Sequence, residues 1–478
     1  MSDLLSRLQQ LQSRFTWDLK QEDADLNNLC TRLQDHIELR LGDRGAVAYT
    51  YSLLAYVSFL QERRQEAASL LSQSEKTTRE CYGVDSERRL IVTYGDLAWL
   101  KYHTGDYTQS QSYCQMVDDI LLKYPTGSST DLHPEVYGEK GWTYLKFLKS
   151  YYHKAIDCFR KALELQSDDS EWNAGCAIAL YRTEPRVLET LQEAEESPAI
   201  KQLRRALEVN PDDCVLLSML ALKLFAYQKH QEADGLVETA LKVDPDNPHV
   251  MRYVGKYLRI QGEDQRSIDL LKRALRRTSQ SAFLHHQLAM CYKKMINAEY
   301  TTQPVNKHKV RQLRRPCIRH LDDAVRIKPT FVLAIGDLAL MYAENKNLPR
   351  AEELFQQGLL HLSETDVTIC QVFHLRYGDF HLYHRRQEAE AVAHYKKGLT
   401  LTPRTYEWKQ CAKKLKRIAE RRLSGGQDDA GAYGLLGLVA RAEGDGRAAA
   451  ELYEKALDCG EDRDDFLSAL VELRLELQ

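Results

Sequence analysis

Four side chains in one short stretch pose the first chemical question. His249, Arg252, Lys256 and Arg259 recur at steps of three and four residues, a spacing that aligns them along one face of a helix. Three of the four are cationic, and no acid shares the stretch 248–261 with them. His286 and Lys293 fall at comparable places in the block that follows. Crowded positive groups repel one another unless an anion relieves them, so the chemistry expected here is the holding of an anion. Catalytic constellations are missing from the chain. It has no Gly-rich phosphate loop, no GxSxG, no HExxH and no Cys/His spacing suited to a metal. The pair His285-His286 reads as hydrogen-bond donors, and neither a metal nor a cofactor is expected.

A repeat positions these residues. Residues 214–247 and 248–281 are consecutive blocks of 34, the period of a two-helix tetratricopeptide unit. Ala221, Ala233, Ala240 and Pro245 punctuate the first block, and Gly255, Ser267 and Ala274 take the matching places in the second. Small residues let the two helices of a unit approach closely, and a proline ends the second helix. The frame recurs from Ala48 to Ala456, which predicts an all-α tetratricopeptide-repeat superhelical solenoid of about ten helix pairs around a central basic channel. In such units the first helix turns positions 2, 5, 9 and 12 toward the groove, the places taken by His249, Arg252, Lys256 and Arg259. Loops or short extra helices are expected around 125–135, 183–198 and 296–316, dividing the chain into subdomains 1–135, 136–295 and 296–478. Residues 466–477 read as a capping helix.

Bulk composition agrees with a folded, soluble protein. The chain has 478 residues, 43% hydrophobic, with no apolar run long enough to span a membrane. Its 11 cysteines are scattered without a CxxC pair, as in a reducing compartment, and Met1-Ser2-Asp3 does not open a signal peptide. The expected location is the cytoplasm. A net charge of −3 hides strong asymmetry. Residues 293–321 carry eight Lys/Arg against Glu299, residues 404–422 carry eight more, and the acidic tail beyond Gly425 restores the balance. Two basic tracts beside a cationic groove point to a polyanion. Aromatic rings, 26 of them Tyr, are interleaved with the charges, as in proteins that stack single-stranded bases.

Ordered strings along the chain resemble the interferon-induced proteins with tetratricopeptide repeats. They are Phe15-Thr16-Trp17-Asp18, Leu53-Leu54-Ala55-Tyr56-Val57, Gly141-Trp142-Thr143-Tyr144-Leu145-Lys146, Tyr181-Arg182, Ala221-Leu222-Lys223-Leu224, Arg252-Tyr253, Leu284-His285-His286-Gln287 and Asp337-Leu338-Ala339-Leu340-Met341-Tyr342. The resemblance implies a cytosolic antiviral effector that binds single-stranded RNA by a 5′-triphosphate or an incompletely methylated cap, sequesters it and blocks its translation, without catalysis. It also implies roles for residues. Arg32, His36, Lys146, Tyr152 and Arg182 would hold the 5′-phosphates. Trp142, Arg252, Tyr253, Lys256, Arg259, His286 and Gln287 would hold the first nucleotides, with Trp142 stacking beneath a cap guanine. Lys413, Lys414, Lys416 and Arg417 would line the exit. Self-association, or association with related proteins, is implied as well. Spacing is consistent with these roles, since Arg32 and His36, and Trp142 and Lys146, are each one helical turn apart. Two departures stand out: His36 replaces a frequent Gln, and the segment 40–45, which helps form the cap pocket, is longer than in familiar members.

Two other functions fit part of the pattern. A tetratricopeptide scaffold for protein partners also uses groove Lys and Arg, usually with Asn beside them, and no Asn accompanies Arg252 and Lys256. An enzyme acting on RNA ends would need a converging base, nucleophile or metal cluster. RNA would be favoured over DNA because its 2′-hydroxyl offers a donor and an acceptor.

Overall fold

The computed structural model describes residues 2–22, 24–41, 44–127, 132–184, 196–425, 429–459 and 463–476, which are helical with no strand among them. The chain forms two compact units, 1–280 and 281–478. In the first, an N-terminal arm (Ser2–Gln10, Leu26–Glu38) precedes six helix pairs: Arg44–Leu60 with Arg64–Tyr82, Ile91–His103 with Tyr107–Lys123, Pro134–Phe147 with Tyr152–Leu165, Ser170–Thr183 with Pro198–Val209, Cys214–Ala226 with His230–Val243, and Pro248–Gln261 with Asp264–Arg277.

The expected small residues do what the period requires. Ala221, Ala233 and Ala240 are fully buried. At Gly255 an added Cβ would lie 2.7 Å from the Leu271 side chain, so only glycine permits this helix crossing. Ser267 Oγ reinforces it by donating to the Gly255 carbonyl at 2.6 Å. Asn247 caps the Pro248–Gln261 helix through the amides of His249 and Val250, and Gly262 ends it at φ 100°.

The second unit pairs Ala282–Thr301 with Lys307–Ile327, Val332–Glu344 with Leu348–Leu359, Val367–Phe380 with Glu388–Thr400, and Ala430–Glu443 with Gly446–Asp458. Tyr406–Leu423 stands between the last two pairs, and Arg463–Glu476 supplies the terminal helix expected at 466–477. About ten pairs were expected, and the two units together contain that many.

The expected boundaries at 135/136 and 295/296 fall inside the Pro134–Phe147 and Ala282–Thr301 helices. The stretch 296–316, expected as a loop or short extra helix, is largely helical. Buried Ile296, Val310 and Cys317 extend an apolar stripe along two long helices, and Pro316 sits inside the second of them. Stripe burial outweighed the breaker signal of that proline. Of the other two stretches, 128–131 and 185–195 lie outside the described residues.

Candidate functional site

The first unit's groups come from five helices. Leu26–Glu38, capped by Asp25, buries Leu29, Cys30 and Leu33 and leaves Arg32 and His36 one turn apart on another face. Arg44–Leu60 contributes Tyr49 and Thr50, and Pro134–Phe147 contributes Trp142 and Lys146. Arg182 occupies the last turn of Ser170–Thr183, and Pro248–Gln261 presents His249, Arg252, Tyr253 and Lys256. A buried network orients the Pro134–Phe147 helix. Arg14, 1% exposed, binds Asp96 at 2.5 Å and Glu139 at 2.6 Å, and Ser52 donates to the same Glu139 oxygen at 3.0 Å. Burial pushes the Glu139 carboxyl up, against the pull of Arg14.

Arg32, Lys146, Arg182 and Arg252 share one electrostatic field. Burial lowers the Arg32 guanidinium's pKa, and Arg182 and Arg252 lower it further. Its side chain nonetheless meets solvent, which is the signature of a group walled by protein but facing open space. Lys146 is lowered to about 7, first by desolvation and then by Arg32 and Arg182, with Glu171 opposing. His36 falls to about 2, through burial and then Lys146 and His249. His249 is pushed well below its usual value by burial, Arg252, Arg182, Lys146 and Arg32. Both imidazoles are therefore neutral at pH 7, so His36 supplies a hydrogen-bonding atom rather than a charge.

Hydroxyls and carbonyls, rather than carboxylates, occupy the donors. Lys146 Nζ donates to Thr50 Oγ1 at 3.0 Å, and Thr50 Oγ1 lies 3.4 Å from His36 Nδ1. Arg182 Nη1 donates to the Leu145 carbonyl at 3.4 Å, and its guanidinium lies 5.6 Å from the Tyr152 ring centre. Burial lowers the Arg182 pKa, but charge interaction with Tyr152 and Tyr253 and hydrogen bonds donated to their hydroxyls hold it up. Arg252 donates to the Tyr253 hydroxyl at 3.0 Å. Burial alone would raise the Tyr253 pKa, but Arg252 and Arg182 bring it below its ordinary value. Among the described residues, Arg32, Lys146 and Arg182 form no ion pair with a carboxylate. Lys256 and Arg259 continue along the same helix, both partly exposed. Trp142 stacks on Tyr49 with ring centres 5.3 Å apart and planes at 15°, and Phe159 meets it edge-on at 5.4 Å.

In the second unit His286 and Gln287 have partners or burial within the fold. His286 Nε2 lies 3.0 Å from Asp337 Oδ2, and Gln287 is buried. Lys293 and Arg376 reach the other oxygen of Asp337 at 2.7 and 3.0 Å. Asp337 is 0% exposed. Its burial would raise the carboxyl, but Arg376, Lys293 and His286 hold it far below the usual range. The anion that His286 and Lys293 require is thus built into the fold, 51 residues along the chain from His286. Sequence spacing within one block could not reveal it. Of the four exit residues, Lys414 pairs with Asp379 at 2.6 Å and Lys416 with Glu443 at 2.8 Å. Lys413 and Arg417 are exposed one turn apart.

His285, His320 and Asp323 bring three ligand-type atoms within 4.8 Å of one another. The His285–His320 contact, Nδ1 to Nδ1 at 3.0 Å, is also satisfied by one N–H···N hydrogen bond. The sequence had paired His285 with His286, whereas the contact crosses to the neighbouring helix.

Two residues of the first-unit cluster escaped assignment: Thr50 and Tyr49, on a helix of mostly apolar residues, carried no signal.

Comparison with known proteins agrees with this architecture. The tetratricopeptide repeat family matches residues 134–169 and 218–282. The human antiviral innate immune response effector IFIT1 is 34% identical over 456 residues, 94% of either chain. Human interferon-induced protein with tetratricopeptide repeats 2 is 30% identical over 96% of each. The solved human IFIT1 dimer with PPP-AAAA superposes with a TM-score of 0.82 at 31% identity, covering 96% of this chain and all of that one. The human IFIT1 dimer with m7Gppp-AAAA gives 0.83 at 32% identity over the same shares. Identity at this level along nearly the whole length places the chain in the family of interferon-induced proteins with tetratricopeptide repeats.

Proposed function

We propose that this protein is an antiviral effector that binds single-stranded RNA by its 5′ end, with the terminal phosphates held among Arg32, Lys146, Arg182 and Arg252. One observation carries the reading: cations from four separate helices share one field, and three of them form no ion pair with a carboxylate among the described residues. A triphosphate supplies the missing negative charge, and each charge-assisted hydrogen bond to it contributes about 1.5–3 kcal/mol. Solved relatives carry PPP-AAAA and m7Gppp-AAAA and are dimers, which supports an RNA 5′ end as ligand and self-association. Tyr152 and Tyr253 hold Arg182 in place, while Lys256 and Arg259 extend the positive face toward the first nucleotides. Lys413 and Arg417 offer a separate contact for downstream phosphates.

The reading contains no chemical step. Binding sequesters the RNA and denies it to translation, in the cytoplasm. Among the described residues no helix is long and apolar enough to cross a membrane. Fluorescence anisotropy with one RNA bearing a triphosphate, a monophosphate or a hydroxyl 5′ end tests it. Affinity should fall in that order, by tenfold or more from first to last. Equal affinity for all three would refute end recognition.

A further inference from the structure

The cationic cluster is bounded on one side by aromatic rings. The Lys146 ammonium lies 4.7 Å from the centre of the Tyr49 ring and 5.7 Å from that of Trp142. Those rings stack on each other at 5.3 Å and 15°, so the flat face that Trp142 turns toward Tyr49 is already taken. Phe159 stands edge-on to the same indole. A partly open cavity adjoins the pair, bounded by Gly45, Ala48, Tyr49, Tyr82, Trp142 and Trp172. At Gly45 even a methyl group would sit 1.8 Å from the Tyr82 hydroxyl. Arg89, Glu135, Glu139 and Glu171 also face this cavity.

We infer that Tyr49 is a specificity-determining residue: its ring occupies the stacking face of Trp142 and restricts the site to RNA ends that finish in phosphate, excluding ends that continue into a 5′–5′-linked guanosine. The inference rests on the 5′-end reading above. A bare triphosphate needs only the cations and Thr50. A capped end must in addition seat a purine, and the one ring placed to stack on it beside Lys146 is covered. Seating that purine requires Tyr49 to swing away, which forfeits the ring pair and its contact with the Lys146 ammonium.

The experiment compares one short RNA carrying a 5′-triphosphate, a 5′–5′-linked guanosine triphosphate cap or a 5′-hydroxyl, against the wild-type protein and the Tyr49→Ala and Tyr49→Phe variants. Wild type and Tyr49→Phe should prefer the triphosphate over the cap by tenfold or more. Tyr49→Ala should raise the ratio of cap to triphosphate affinity about 10- to 100-fold, the value of one base–ring stack. Tyr49→Val, which removes the ring but keeps a branched side chain, serves if Tyr49→Ala does not fold, and the same gain is expected. An unchanged ratio of cap to triphosphate affinity in the ring-less variant overturns the inference, as does a loss of cap affinity, which would make Tyr49 a stacking partner. Failure of the wild type to distinguish triphosphate from hydroxyl would instead refute the underlying 5′-end reading.

Discussion

Lys146 gives the most quantitative test of the cationic cluster. With its pKa lowered to about 7 in the empty site, half the molecules carry a neutral amine at pH 7. A bound triphosphate restores the ordinary value of about 10.4, so above pH 7 binding must take up a proton. The free protein's protonated fraction falls from one half at pH 7 to roughly 3% at pH 8.5, which weakens binding about 16-fold, or ~1.6 kcal/mol. Phosphate itself loses its last proton near pH ~6, so this window isolates the protein. Anisotropy titrations of a triphosphorylated oligoadenylate from pH 7 to 8.5 read the slope. The Lys146→Ala variant should be flat over that range, which also separates Lys146 from Tyr253, whose hydroxyl Arg252 and Arg182 hold low. The folding linkage has a definite sign. An unfolded chain binds more protons at this lysine between pH 7 and 10.4, so the RNA-free protein gains stability from it as pH rises, while the complex does not. A wild-type slope matching that of Lys146→Ala would refute the reasoning, because Lys146 would then not be the group that titrates on binding.

Other perturbations separate the cluster from its surroundings. Arg182→Ala should weaken triphosphate binding about 10- to 150-fold, from one charge-assisted contact of 1.5–3 kcal/mol, and leave hydroxyl-ended RNA nearly unchanged in the same anisotropy assay. Exchanging both Lys413 and Arg417 for Gln should weaken all RNAs alike and reduce the slope of log affinity against log salt by about 1.4, at 0.7 per phosphate contact on a single strand. Asp96→Ala removes one of the two carboxylates that hold the buried Arg14 guanidinium and should cost about 3 kcal/mol in urea unfolding. Asp337→Ala should destabilise the fold by a similar amount, because Lys293 and Arg376 lose the carboxylate they share.

What the sequence disclosed was periodic, and what it hid was long-range. The small residues at 221, 233, 240, 255, 267 and 274 were legible because helix crossing demands them at a fixed interval, and each is buried or crowded as the period requires. The row His249, Arg252, Lys256, Arg259 was legible for the same reason. Two features were not. His286 and Lys293 looked like unrelieved charge because Asp337 belongs to another repeat. Tyr49 looked like one more core aromatic, and only the fold sets it against Trp142. Local pattern specifies elements, whereas a charge's partner is fixed by packing between elements remote in the chain.

The two cationic groups of this protein differ in what satisfies them, and that difference separates a binding site from a structural network. Around Asp337, Lys293 and Arg376 share a carboxylate that is fully buried and held ionised, so part of their charge is cancelled within the fold. Around Arg182, the partners are the hydroxyls of Tyr152 and Tyr253 and a backbone carbonyl. Neutral oxygens fix the direction of the guanidinium without cancelling its charge, so the field stays available to a ligand. The cost of an uncancelled cluster is limited where the chemistry permits. His36 and His249 are kept neutral, and Lys146 is poised near the point of losing its proton. Arginines cannot shed theirs, so Arg32, Arg182 and Arg252 carry the standing charge of the empty site. An internal phosphodiester, with one negative charge, relieves that field only in part. A terminal triphosphate would bring several charges to one point and draw a proton back onto Lys146, which on the proposed assignment favours the end of a chain over its middle.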